Sequence, residues 1–334
     1  MSASVGVVSA AGTGGARAEP ETPVLGLDIG GTKLAAGVVD RNGIVHSFVV
    51  APSRADEGPE PTLERLFELG RQSVAESGLE WDAIQAVGIG SGGPLDAEGG
   101  ILIAPPHLPG WRNVRVNELA ENAFHRPVTL ENDATAAAAG EHRWGAGADV
   151  SNMVYLTIST GVGGGVVIDG NLYRGSMGNG GELGHVTIDW HGRPCRGCGR
   201  RGCLEAYVSG TSIAERAQEA GLAFTTAEDV AAAARAGDPG AVAIWDETVE
   251  ALACGVTSIV NLFEPELIVI GGGVSRSGEQ LIGPVRELVR ASTMKPAGEK
   301  ADIVASAFGD QVGVVGAAAI VYDRAALGET RPNG

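Results

Sequence analysis

Short apolar runs broken by glycine and turn residues set the pattern of this chain. Leu25-Gly26-Leu27-Asp28-Ile29 is apolar apart from one acid near its end, Gly30-Gly31-Thr32-Lys33 follows, and a second apolar run extends from Leu34 to Val39. That order predicts strand, tight turn, strand. Asp40-Arg41-Asn42-Gly43 then separates Leu34–Val39 from Ile44–Val49, a hairpin signal. Pro61 to Gly78 has helical spacing, with Leu63, Leu66, Phe67 and Val74 on one side. Ile84–Ile89 reads as the next strand, and Val128–Glu131 as another that leads into an Ala-rich helix from Ala134 toward Arg143. Met153–Ile158, Ser159-Thr160-Gly161-Val162-Gly163-Gly164-Gly165 and Val166–Ile168 repeat the opening order. Helices are expected over much of Gly210–Cys254, and Leu267–Ile270, wholly apolar, reads as a buried parallel strand before Gly271-Gly272-Gly273. A closing Gly/Ala-rich helix starts near Val312. Hairpins followed by alternating strands and helices predict an α/β fold with mixed sheets.

The two glycine turns carry the first chemistry. Gly30 and Gly31 let backbone N–H groups approach a ligand closely, Thr32 and Lys33 add side-chain donors, and Asp28 at the strand end suits a divalent cation bridging to phosphate oxygens. One such turn in each half predicts two lobes gripping a nucleotide's phosphates from both sides. No Gly-Lys-Ser/Thr occurs, so neither turn is a Walker A loop. Gly88 to Gly93 matches G-x-G-x-x-G, but Pro94 prevents a dinucleotide-type helix from opening there.

Composition narrows the classes. The 334 residues are 44% hydrophobic and 19% charged, enough for two core-bearing lobes of a soluble protein. A net charge of −17 argues against nucleic acid or an anionic membrane as partner. Residues 1–21 lack patterning and read as a disordered leader without the basic start and apolar core of a secretory signal. No uncharged apolar run approaches the ~20 residues of a membrane span, so a cytoplasmic location is expected. Three of the four cysteines, Cys195, Cys198 and Cys203, crowd into one Gly/Arg-rich segment, which points to a metal site in a reducing compartment. Sequence alone leaves His185 and His191 competing to complete it. Cys254, in an apolar helical stretch, is expected to be inert core.

Six stretches in one order resemble the ROK family of sugar kinases and related repressors, in the actin/hexokinase-like superfamily. They are Asp28–Lys33, Glu131-Asn132-Asp133-Ala134, Ser159–Gly165, Gly181-Glu182-Leu183-Gly184-His185, Gly199-Arg200-Arg201-Gly202-Cys203-Leu204-Glu205 and Gly271–Gly273. The resemblance implies a two-lobed, actin-like (ribonuclease H-like) α/β ATPase fold with mixed sheets and flanking helices. On that reading residues 22–133 form an N-terminal lobe completed by a helix at about 313–326, and 134–312 form a C-terminal lobe with a zinc-binding loop. It implies ATP and Mg²⁺ held by Asp28, Gly30, Gly31, Thr32, Lys33, Thr160, Gly161, Gly163, Gly164, Gly271, Gly272 and Gly273. Asp133 is the implied general base on the sugar hydroxyl, although an Asp there also suits a helix cap. Gly92, Gly93, His107, Asn132, Glu182, His185 and Glu205 are the implied sugar contacts, and His185 joins Cys195, Cys198 and Cys203 around a structural Zn²⁺.

Two departures stand out. The family usually has Cys-x-Cys, whereas Cys195 and Cys198 are separated by two residues, still normal zinc-knuckle spacing. His107 stands where the family's glucokinases usually carry Asn. The expected activity is phosphorylation of a hexose, glucose first, with N-acetylmannosamine, N-acetylglucosamine, allose or a cyclitol behind, in a homodimer or homotetramer. A sugar-responsive repressor would need a helix-turn-helix domain, for which the segment before Asp28 is too short.

Overall fold

The computed structural model describes residues 22–326; the expected leader lies outside them. β1 (Val24–Ile29) and β2 (Lys33–Val39) form an antiparallel hairpin, and β3 (Val45–Pro52) pairs with β2. Between β2 and β3 the Asp40 carboxylate turns the chain by accepting from the backbone N–H of Asn42 (2.9 Å) and Ile44 (3.0 Å). α1 (Pro59–Ser77) opens with proline in its first turn and ends at Gly78, whose φ of 72° is left-handed. It buries Leu63, Leu66, Phe67 and Val74. β4 (Ala86–Ser91) runs parallel to β1, and the G-x-G-x-x-G stretch then passes through a cis Gly93–Pro94 peptide into β5 (Leu95–Asp96) without opening a helix. β6 (Ile101–Leu102), α2 (Val116–Phe124) and β7 (Val128–Asn132) follow. The sheet order is β3-β2-β1-β4-β7.

α3 (Asp133–Trp144) leads to the second sheet, which begins with β8 (Met153–Ile158), β9 (Val162–Ile168) and β10 (Asn171–Leu172). A 3₁₀ turn at Leu183–His185 precedes α4 (Glu205–Val208), α5 (Gly210–Glu219), α6 (Ala227–Arg235) and α7 (Pro239–Phe263). β11 (Leu267–Gly271), α8 (Glu279–Ser292), α9 (Ala297–Lys300), β12 (Asp302–Ala305) and α10 (Val312–Ala326) complete the described chain. Its order, β10-β9-β8-β11-β12, repeats that of the first sheet: an antiparallel three-strand meander, then two parallel strands. β11 is buried throughout and pairs in parallel on both sides, as its unbroken apolar run requires. Cys254 corrects an expectation. It is exposed on α7, because the helical period turns it outward with Glu250 and Asn261 while Ala253 and Gly255 beside it are buried. No helix of the described residues is long and apolar enough to cross a membrane.

The sheets are joined through two helices. α3 packs on β8 and β9, α10 packs on β1, β2 and β4, and the helices pack on each other. Both contacts depend on missing side chains. A Cβ at Gly88 of β4 would overlap the Ala317 carbonyl of α10, and one at Gly316 would overlap the Ala136 carbonyl of α3. Both obstacles are backbone, so a side chain at either place moves a whole helix. Gly88→Ala should therefore destabilise the protein by about 1–3 kcal/mol or more. Urea unfolding checks this, and a midpoint equal to that of the unsubstituted protein would show that α10 does not seat so tightly.

Candidate active site

Three parallel strands end side by side between the sheets. Their register aligns Asp28 with Gly90 and Glu131, and Ile29 with Ser91 and Asn132. Such carboxyl ends are where open α/β sheets take ligands. Asp28 is half-buried at the start of α10, where a Cβ at Gly313 would overlap its carboxylate. Burial, then the charge of Asp133, pushes its carboxyl up to about 7 against the pull of Lys33. Burial also raises Asp133, with His107 and the Ala134 N–H opposing it. The N-cap of α3 is Asn132, whose Oδ1 accepts from Ala134 N (3.0 Å) and Thr135 N (3.1 Å). Asp133, the first helical residue, adds one acceptor to Ala134 N at 2.8 Å. The capping role weighed for Asp133 thus falls mainly on its neighbour, and only the Nδ2 group of Asn132 remains for a ligand.

The first glycine turn is pinned from behind. Gly30 N donates to Lys33 O (3.1 Å), while Ser53 donates through its N–H to Thr32 O (3.0 Å) and through its hydroxyl to Gly31 O (2.6 Å). Thr32 and Lys33 stay exposed. Sequence reading passed over Ser53, which is fully buried; its one signal was its place just past the end of β3. His107 packs against the turn, its carbonyl oxygen 2.8 Å from where a Gly31 Cβ would stand, and its imidazole fills the space above Gly92. Burial lowers the His107 pKa, and Asp133 draws it the other way.

The second glycine turn lies between β8 and β9. Ser159 N donates to Gly161 O (2.9 Å), and the start of α5 holds the turn through Gly210 N to Ser159 O (2.7 Å) and the Thr211 hydroxyl to Thr160 O (2.9 Å). Thr160 and Gly161 stand in this turn. Gly163 and Gly164 lie beyond it in β9, where a Cβ would come within 2.9 Å of Ala134 Cβ and 2.6 Å of Gly181 O respectively, so their bareness serves packing. Gly271 and Gly272 similarly make room for Tyr155 and Ile158 of β8, whereas Gly273 faces open space.

The cysteine segment closes the other side. Among the described residues, ligand atoms of His185, Cys195, Cys198 and Cys203 all lie within 4.8 Å of one another, with Cys195 Sγ to His185 Nδ1 at 3.6 Å and Cys198 Sγ to Cys203 Sγ at 3.5 Å. Tetrahedral zinc with bonds of ~2.0–2.3 Å has ligand–ligand edges of about 3.5–3.8 Å, so the donor set and spacing fit that ion. Glu205 adjoins the cluster: Oε1 is 3.3 Å from Cys195 Sγ, and Oε2 accepts from Val162 N (3.0 Å) beside the second glycine turn. Glu182 lies just before the 3₁₀ turn, and partial burial raises its carboxyl, with His185 opposing and Asp133 and Glu205 reinforcing. Across the cleft Arg174 Nε donates to Glu131 Oε2 at 2.6 Å, an ion pair between the lobes that sequence reading did not anticipate.

Comparison with known proteins agrees with this geometry. The ROK family model matches residues 24–324. A glucokinase of Thermotoga maritima is 37% identical, over 91% of this chain and 99% of its own length. The crystal structure of a ROK hexokinase from Thermus thermophilus is 36% identical, covers 91% of this chain and 99% of its own, and superposes with a TM-score of 0.76. A ROK family glucokinase from Streptomyces griseus, crystallised with glucose and AMPPNP, is 33% identical, covers 89% and 98%, and also gives 0.76. With the same strand order repeated in both lobes, this chain belongs to the ROK family and has its actin-like fold.

Proposed function

We propose that this protein is an ATP-dependent sugar kinase, transferring the γ-phosphoryl group of ATP to a hexose hydroxyl and making glucose 6-phosphate from glucose. The observation that carries the reading is the pair of acids, Asp28 and Asp133, brought together over Gly90 at the strand ends. The glucokinase relatives and the Streptomyces griseus complex support ATP and glucose as the substrates.

The sugar lies over Gly93, beside the His107 imidazole that covers Gly92, with the Asn132 amide donating to it and Glu182 and His185 facing it. Asp133 accepts the proton of the attacking hydroxyl as the phosphoryl group transfers; burial makes its carboxylate a stronger base than a solvated one. Asp28 is the residue that would hold Mg²⁺. The fit is electrostatic: two neighbouring carboxyls are both pushed up, and Lys33 is the cation acting on Asp28. The ion supplies charge neutralisation along the phosphates. His185 Nδ1 with Cys195, Cys198 and Cys203 would hold Zn²⁺ and fix this loop, which would leave the other ring nitrogen of His185 to meet the sugar.

A panel of hexoses and cyclitols with ATP–Mg²⁺ tests the reading; glucose should turn over fastest, and background ADP release with every acceptor would refute it. In the same assay Asp133→Asn should lower kcat by about 10²–10⁴-fold while sugar binding persists. Near-normal kcat would remove Asp133 from the role of base.

Asp28 makes a prediction about stability. Its folded carboxyl titrates at about 7 against an ordinary 3.8. The folded state therefore keeps a proton that the unfolded chain has lost, and stability falls as pH rises across that window. Asp28→Asn abolishes this cost, so it should raise Tm of the ligand-free protein more at pH 8 than at pH 5.5. Equal gains at both pH values would mean the carboxyl is not perturbed.

Protein purified without chelator should carry about one zinc per chain, as a closed four-ligand site implies. Cys198→Ser should reduce that content and raise the sugar KM. Plasma mass spectrometry decides the first point, and a zinc-free wild type would mean that the two-residue Cys spacing has abolished the site.

A further inference from the structure

A rim loop from Arg174 to Glu182 connects β10 to the 3₁₀ turn that carries His185. Its ends are drawn together where Gly180 N donates to Arg174 O at 2.7 Å, leaving Ser176, Met177 and Asn179 exposed. Asn179 is oriented by its own Nδ2, which donates to Met177 O at 2.8 Å. Its Oδ1 then faces the opposite lobe: a Cβ on Gly93 would stand 3.7 Å from Asn179 Oδ1 and 3.8 Å from Asn132 Nδ2. The spot above Gly93 therefore has an amide acceptor from one lobe and an amide donor from the other. A hydroxyl, which donates and accepts at once, is complementary to that pair.

The first end of the loop is secured by Arg174, whose Nε meets Glu131 Oε2 at 2.6 Å. Glu131 has a side chain only 2% exposed, and its second oxygen accepts from Asn132 N at 3.0 Å. One buried carboxylate thus touches both the loop bearing Asn179 and the backbone of Asn132. A buried charge stripped of its partner is strongly unfavourable, which makes this contact a firm anchor once formed. The contact is made by the in-plane Nε–H of the guanidinium, whose fixed direction a lysine ammonium does not reproduce.

We propose that Arg174 is a positioning residue for the sugar: its ion pair with Glu131 docks the rim loop on the opposite lobe and sets Asn179 and Asn132 on either side of one substrate hydroxyl. This inference rests on the sugar-kinase reading.

Steady-state kinetics of Arg174→Gln, Arg174→Lys, Glu131→Gln and the Arg174→Gln/Glu131→Gln double variant test it. Arg174→Gln should raise the sugar KM about tenfold or more, as expected for losing a charged hydrogen bond that orders the site, and leave the ATP KM unchanged. Arg174→Lys should recover part of the loss, and the double variant should be little worse than either single one. An unmoved sugar KM, a parallel rise in the ATP KM, or additive effects would each overturn the proposal. If Arg174→Gln fails to fold, Arg174→Lys supplies the same KM comparison. A wild-type protein that phosphorylates no sugar overturns the kinase reading and this inference together. Sugar turnover by the wild type with no sugar-KM change in the Arg174 variants overturns the inference alone.

Discussion

The crossing of α3 and α10 is the contact on which the rest of the molecule depends. α10 lies on the first sheet, α3 on the second, and each meets the other through bare glycine backbone at Gly316 and Gly140. Their far ends are tied as well: Arg143, in the last turn of α3, donates to the Asp323 carboxylate near the end of α10 at 2.7 Å. With the joint fixed at one end, the other end points both helix N-termini into the cleft. Asp133 opens α3, and Asp28 lies against the start of α10. Helix N-termini favour anions, so the same crossing that unites the lobes surrounds the acids with a field suited to phosphate groups.

That arrangement explains why two carboxyls coexist at the floor of the cleft. Each is raised by its surroundings, and neither is neutralised by a close arginine, which leaves them available to a proton or a divalent cation. The arginine that does reach across the cleft, Arg174, is engaged by Glu131, two residues before Asp133. Glu131 meets Arg174 and Asp133 neighbours Asp28, though they stand two residues apart, because a strand ends and a helix begins between them. On the opposite wall Glu205 spans from the cysteine cluster to the backbone beside the second glycine turn.

What the amino-acid pattern revealed follows from how local each signal is. The hairpin β1–β2, the end of α1 at Gly78 and the buried strand β11 are written in runs of neighbouring residues and stand where the pattern puts them. By contrast, α1 starts two residues before the expected Pro61, and β9 takes in the glycines from 163 to 165 that read as turn. The four-ligand cluster is nearly as local, since three of its members lie within one loop. The pairing of Arg174 with Glu131 and the bracing of Gly31 by Ser53 join residues far apart in the chain, so no periodicity announces them. β12, four residues with exposed positions at both ends, has too little alternation to be noticed. Cys254 was misjudged for a different reason: apolar surroundings were weighed without the helical period, and Glu250 and Asn261 on the same face already marked it as outward.

Asn132 has a double occupation that limits how this protein can diversify. Its carbonyl oxygen belongs to the first turn of α3, and only its amino group is left for a ligand. Aspartate there would preserve the cap while reversing the polarity offered to the substrate, and alanine would remove both. Selection for a new ligand therefore cannot work at this position without altering the helix that begins at Asp133. The freedom to change preference is displaced to segments under no such dual demand, the stretch bearing His107 and the rim bearing Asn179. Relatives acting on different acceptors are expected to differ there while retaining the asparagine.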